Sequence, residues 1–138
     1  MRLLRETELV QAGEAWGEAL APGAVVWLEG DLGAGKTTLV RALARGLGVR
    51  EPTTSPTYGL VHHYEGRRGP VYHLDCYRLR APEEAADLDW ETLLQGDAVL
   101  IEWPERAAGW APAPSVRVRL AHAARDDQRA VEVEPSPW

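Results

Sequence analysis

Gly30-Asp31-Leu32-Gly33-Ala34-Gly35-Lys36-Thr37 (GDLGAGKT) fills every fixed position of the pattern G-x-x-x-x-G-K-[ST]. Ahead of it lies the apolar run Ala24 to Glu29 (AVVWLE), long enough for a buried strand and too short for a helix. Behind it, Lys36 to Leu47 carries Leu39, Val40, Leu43 and Leu47 at the spacing of one helical face, and Gly48 is placed to end that helix. The order strand, glycine loop, helix is what phosphate binding requires. Glycines let backbone N–H groups approach phosphate oxygens without a Cβ in the way. The helix N-terminus adds partial positive charge. Lys36 carries a compact charge toward β- and γ-phosphates, and the Thr37 hydroxyl suits a magnesium ion.

Composition sharpens this reading. The chain has 138 residues, 15 basic and 21 acidic, for a net charge of −6. Lys36 is its one lysine; every other cationic side chain of the Lys/Arg type is arginine. A planar guanidinium suits two-oxygen clamping, whereas a phosphate nest takes an ammonium, so lysine stands where the swap would be costly. Guanine-specific P-loop proteins usually read the base through Asn-Lys-x-Asp. With no Asn and no second Lys, neither that element nor its Thr-Lys variant can exist here, which favours ATP. The acidic balance argues against a free-standing DNA or RNA binder. No apolar run approaches the roughly 18 residues of a membrane span. A lone Cys76 excludes a disulfide framework and fits a cytoplasmic protein.

Working outward, Thr7 precedes a helical pattern with Leu9, Val10, Trp16 and Leu20 on one face, ended by Pro22-Gly23. Tyr58–Tyr64 and Val71–Cys76 read as a hairpin across Gly66–Gly69, Pro82–Leu94 as a helix, and Ala98–Ile101 as a buried strand ending in Glu102. Trp103–Trp110 reads as loop or short helix, and Ser115–His122 with Ala130–Glu134 as a final hairpin. The expectation is one α/β domain over residues 1–138: a P-loop NTPase fold with a mixed central sheet flanked by helices, a β-hairpin after the P-loop helix and another at the C-terminus.

Such a site needs a carboxylate at the end of a buried strand. Asp75 and Glu102 both qualify: one would ligate Mg²⁺ and the other position the attacking water or act as base. The loop after the P-loop helix holds Thr53, Thr54, Ser55 and Thr57, of which Thr57 is the candidate for sensing a γ-phosphate. His73 shares a strand face with Asp75 and is expected to orient a loop or the carboxylate. Trp103 could pack on the base, lie under the P-loop, or belong to the core.

In order, GDLGAGKTT, SPTY, HLDCYRL and EWPE resemble the bacterial TsaE (formerly YjeE) family, small P-loop ATPases of threonylcarbamoyl modification of tRNA anticodon-loop adenosine. The resemblance runs from about Glu6 to Glu105. It implies that Leu32, Gly33, Ala34, Gly35, Lys36 and Thr37 bind the ATP phosphates with Thr38 in the same turn. It further implies that Thr37 and Glu102 hold magnesium, and that Asp75 is the essential carboxylate of hydrolysis. Ser55-Pro56-Thr57 would be switch-like, Trp103 would lie near the nucleotide and Glu6 near the adenine. The implied partners are the TsaB–TsaD pair, with tRNA met only indirectly and no membrane or DNA. The alternatives are a small-molecule or nucleoside kinase, for which Leu79–Val99 is short of room for an acceptor segment and lid, and a nucleotide-binding module without turnover.

Overall fold

A computed structural model of the chain describes residues 1–50 and 60–137. Thr57, with the rest of the proposed switch loop, lies outside the described residues.

The core of the molecule is a seven-stranded mixed sheet in the order β1-β7-β6-β2-β5-β4-β3. Its strands are β1 (Arg2–Arg5), β2 (Ala24–Glu29), β3 (Val61–Glu65), β4 (Pro70–Asp75), β5 (Ala98–Glu102), β6 (Val116–His122) and β7 (Gln128–Glu134). The central four, β6, β2, β5 and β4, run parallel, and each end is closed by antiparallel pairing. The central strands are the apolar ones: every residue of β5 is buried, as are Val26 and Leu28 of β2. Burial on both faces is what parallel strands require.

Alternation along these strands divides the core in two. Val26, Leu28, Leu100 and Val71 face α1 (Glu6–Ala19) and α2 (Lys36–Gly46). Val25, Val99, Ile101 and Leu74 face the other side, under 3-10 turns at Cys76–Arg78, Pro82–Asp87 and Pro104–Trp110 and a short helix α3 (Trp90–Leu94).

Helix α1 lies on α2 with backbone almost touching backbone. A Cβ built on Gly17 would stand 2.2 Å from the Leu43 carbonyl oxygen, and one on Gly46 would stand 2.2 Å from that of Glu14. This approach fixes α2, and with it the loop ahead of it, against the sheet.

Three expectations are corrected. The helix read over Pro82–Leu94 is two pieces, a 3-10 turn and then α3, parted at Leu88-Asp89, where Leu88 is extended and neither residue is helical. Asp89 recaps the chain by accepting from the Thr92 amide at 3.2 Å and the Thr92 hydroxyl at 2.7 Å. Helix α1 starts at Glu6, with Thr7 inside its first turn and Glu8 accepting the Arg5 amide at 2.9 Å. Strand β1 is additional; it exists by pairing with β7, and its four residues carry no alternation of their own. By contrast β2 spans the expected residues, and Gly48 takes the left-handed conformation (φ 89°) that follows the α2 terminus.

Candidate functional site

Register does most of the assembly. The P-loop follows β2, β5 lies beside β2, and β4 beside β5, all parallel. Asp75 and Glu102 are direct Cα partners at the C-terminal ends of β4 and β5, and Leu28 pairs with Glu102. Both carboxylates therefore stand at the edge of the sheet from which the loop rises. Leu32, Gly33, Gly35, Lys36, Thr37, Thr38, Asp75, Tyr77, Glu102 and Trp103 line one cleft of about 270 Å³.

The loop has the backbone its glycines permit. Gly33 (φ 77°) and Gly35 (φ 106°) are both left-handed, and Gly35 is the N-cap of α2. Ala34 is fully buried beneath it, while Leu32 is 62 % exposed at its tip, where His122 of β6 reaches the Leu32 carbonyl at 3.2 Å. Lys36 is buried at 5 % exposure and folds back along the loop. Its ammonium donates to the carbonyls of Gly30 and, at 2.8 Å, Asp31. Two of its three N–H donors are thus committed, leaving one for an anion. Burial lowers the Lys36 pKa, opposed by the charges of Glu102, Glu105, Asp31 and Asp75.

Glu102 is the most enclosed acid of the cleft, at 4 % exposure. One of its oxygens accepts from the Thr37 hydroxyl at 3.4 Å, and the other meets His73 Nε2 at 2.6 Å. His73 is covered in turn by the His62 ring at 5.7 Å. The expectation that His73 orients a carboxylate is met, but the carboxylate is Glu102 across the strand pair rather than Asp75. Asp75 is half-buried and accepts the Tyr77 amide at 3.1 Å. Thr37 and Glu102 offer a hydroxyl and a carboxylate, the hard oxygen donors a magnesium ion takes while retaining water and phosphate ligands. That donor set fits such an ion.

Trp103 touches both the core and the phosphate-loop lysine. It is partly buried against the second core cluster, and its ring lies 4.3 Å from the Lys36 ammonium. Tyr77 leans on it at 4.9 Å, and the Arg106 guanidinium caps Tyr77 at 4.3 Å. Trp103 takes a left-handed backbone (φ 56°, ψ 49°), a strained state for a non-glycine residue. Its amide is held by the Leu28 carbonyl at 3.2 Å. Tyr77, which lines the cleft, and Arg106 and His122, which touch its lining residues, were not signalled by the sequence, because the 3-10 turns and the β6 end bring them there.

Glu6 stands apart from this cleft. As the first residue of α1 it lines a second cleft of about 410 Å³ with Arg5, Thr7, Asp126 and Arg129. The two clefts share Gly33, Gly35 and Thr38, so the P-loop is the wall between them.

Known proteins resemble this chain closely. A family model described as "Threonylcarbamoyl adenosine biosynthesis protein TsaE" matches residues 3–131. The "tRNA threonylcarbamoyladenosine biosynthesis protein TsaE" of Nostoc is 43 % identical over 124 residues, 86 % of this chain and 75 % of that one. The protein of the same name from Treponema pallidum is 43 % identical over 109 residues, covering 78 % and 80 %. Among solved structures, Bacillus subtilis YdiB superposes with a TM-score of 0.74 at 25 % identity, covering 96 % of this chain and 85 % of that one. With the P-loop, its two strand-end carboxylates and the mixed sheet all in place, the chain belongs to the TsaE family of tRNA threonylcarbamoyladenosine biosynthesis.

Proposed function

We propose that this protein is a magnesium-dependent ATPase of the cytoplasm that serves threonylcarbamoyl modification of tRNA adenosine through a TsaB–TsaD-type complex, slow alone and completed by its partners. The observation that carries the reading is one wall of one cleft: Lys36 and Thr37 at the head of α2 facing Glu102 and Asp75 in strand register.

The phosphates would lie on the amides from Leu32 to Thr38, with Ala34 supporting the loop from below and Lys36 supplying its third donor. Thr37 and Glu102 would hold the magnesium ion, which screens phosphate charge when bound. Asp75 has one oxygen engaged by the Tyr77 amide and a second able to accept a hydrogen bond from the attacking water, so it is assigned as the hydrolytic carboxylate. Trp103 would stand beside the phosphates over Lys36, and Glu6 beside the adenine in the neighbouring cleft. Thr57 remains the assigned γ-phosphate sensor.

Phosphate release from ATP, measured with and without the TsaB–TsaD pair, tests this directly. Stimulation by the pair is expected, with turnover lost in Lys36→Ala and, with nucleotide binding retained, in Asp75→Ala. Efficient phosphorylation of a nucleoside or other small metabolite, unaffected by the pair, would overturn it in favour of a kinase. Persistent turnover in Asp75→Ala would remove that residue's role.

A further inference from the structure

Along α2, one and two turns beyond Thr37, Arg41 and Arg45 combine with Arg50, past the helix end, to surround one groove of about 420 Å³. Its floor is Val40, Val49 and the half-buried ring of Tyr64 from β3. All three arginines are exposed, in a chain whose overall charge is −6. Arg41 and Arg45 are one helical turn apart, which sets their side chains about 5–6 Å apart at Cβ. Arg45 pairs with Glu14 at 3.3 Å, whereas among the described residues neither Arg41 nor Arg50 is in an ion pair. Arg67, at the β3–β4 turn, donates to the Gly46 carbonyl at 3.4 Å and extends the positive rim past the end of α2. Among the described residues, no carboxylate lines the groove.

We infer that this groove is a direct contact for the phosphodiester backbone of RNA, the three guanidiniums engaging successive phosphates and the Tyr64 ring offering an apolar face to a ribose or base. Guanidinium forks match phosphate oxygens in pairs, and an aromatic floor between them is the pattern of single-strand and loop recognition. A local patch overrides the sign of the whole chain because ionic screening confines charge effects to roughly 8 Å at physiological salt. The inference rests on the family's place in tRNA modification, not on ATP turnover. It departs from the expectation that tRNA is met only indirectly.

The test is fluorescence anisotropy of a labelled, unmodified tRNA transcript, titrated with the full chain between 50 and 200 mM salt. Three phosphate contacts predict about 20- to 40-fold weaker binding across that range, from a log–log slope of about −0.7 to −0.9 per contact. Arg41→Ala/Arg50→Ala, with one contact left, should bind more weakly at 50 mM and lose only about three-fold across the range. Arg119→Ala/Arg125→Ala, distant on the β6–β7 side, should behave as wild type. No binding by wild type at 50 mM, or an unchanged salt slope in the Arg41/Arg50 variant, would each overturn the inference. Binding of a fluorescent ATP analogue, measured on the same proteins, is expected to be equal in wild type and variant. Its absence from wild type would refute the ATPase reading and leave the RNA result to be judged separately.

Discussion

Gly17→Ala adds a single methyl group at the point where α1 and α2 touch, and its effect can be worked from the structure. The new Cβ would lie 2.2 Å from the Leu43 carbonyl oxygen, 3.0 Å from its carbon and 3.1 Å from the Gly46 Cα. All three neighbours are backbone, so no side chain can rotate away. Restoring ordinary contact requires the helices to part by about 1 Å, a gap that forfeits a quarter to a half of each dispersion contact it opens. Tilting gives no relief, since Gly46 makes the same 2.2 Å approach to Glu14 in the other direction. Overpacking of this kind costs about 3 kcal/mol at the upper end of its usual range. Alanine returns about 1 kcal/mol in helix propensity, leaving a net loss of about 2 kcal/mol. At about 2.1 cal/mol/K per residue, unfolding this chain carries roughly 0.29 kcal/mol/K of entropy, so the melting temperature should fall by about 7 °C. Gly109→Ala is the matched control: nothing lies within 4 Å of its Cβ, and no change beyond about 0.5 kcal/mol is expected. Thermal unfolding by circular dichroism reads both. A Gly17→Ala protein melting within 1 °C of wild type would refute the claim that backbone contact positions α2.

The remaining predictions concern single side chains. Cys76 is 2 % exposed, and burial, followed by the charges of Asp75 and Glu105, pushes its thiol up to about 12. It should therefore resist alkylation at pH 8 until the protein is unfolded. The stability it lends as a neutral thiol should be lost as pH rises from the ordinary thiol range toward that value. Asp89 is held below the usual carboxylate range by the Thr92 hydroxyl and amide. A carboxyl depressed on folding stabilises above its unfolded pKa and ceases to as pH falls through the folded one. Asp89→Ala should thus lower the melting temperature at pH 7 and match wild type in strong acid. His73→Ala removes the 2.6 Å partner of Glu102. On the proposed function, the magnesium concentration for half-maximal turnover should rise about 10- to 100-fold, and restoration by His73→Gln, which keeps a donor, would separate positioning from folding.

What the sequence made legible was whatever short-range chemistry dictates. The Gly30–Thr37 loop puts glycine where the backbone takes positive φ, at Gly30, Gly33 and Gly35, and β2 and α2 on either side follow from apolar runs of the right length. Asp75 and Glu102 were identifiable as strand ends, but their adjacency depends on which strands are neighbours. That comes from the β4–β5 register and not from either segment. The bond from His73 to Glu102 was hidden for the same reason: along its own strand His73 shares a face with Asp75, and only the parallel neighbour supplies its partner. Strand β1 and the break at Leu88-Asp89 were missed where a long-range pairing or a local side-chain cap overrode weak propensity.

The close contacts of Lys36 show why the single lysine sits where it does. An ammonium donates in three directions from one atom, whereas a guanidinium donates from a flat fork. Here two directions are taken by the Gly30 and Asp31 carbonyls, and the Trp103 face covers the charge at 4.3 Å. A guanidinium holds its donors in one plane, which suits it less than an ammonium to meeting both carbonyls while aiming a donor along the loop. Trp103 keeps its place only in a left-handed conformation, strain of about 1–2 kcal/mol that glycine in its position would not bear. The protein holds a bulky indole there all the same, because glycine would leave the Lys36 charge bare on one side and Tyr77 without the ring it leans on. Strain at Trp103 and the retention of lysine at position 36 are thus two consequences of one arrangement, a cation enclosed by its own loop on one side and by an aromatic face on the other.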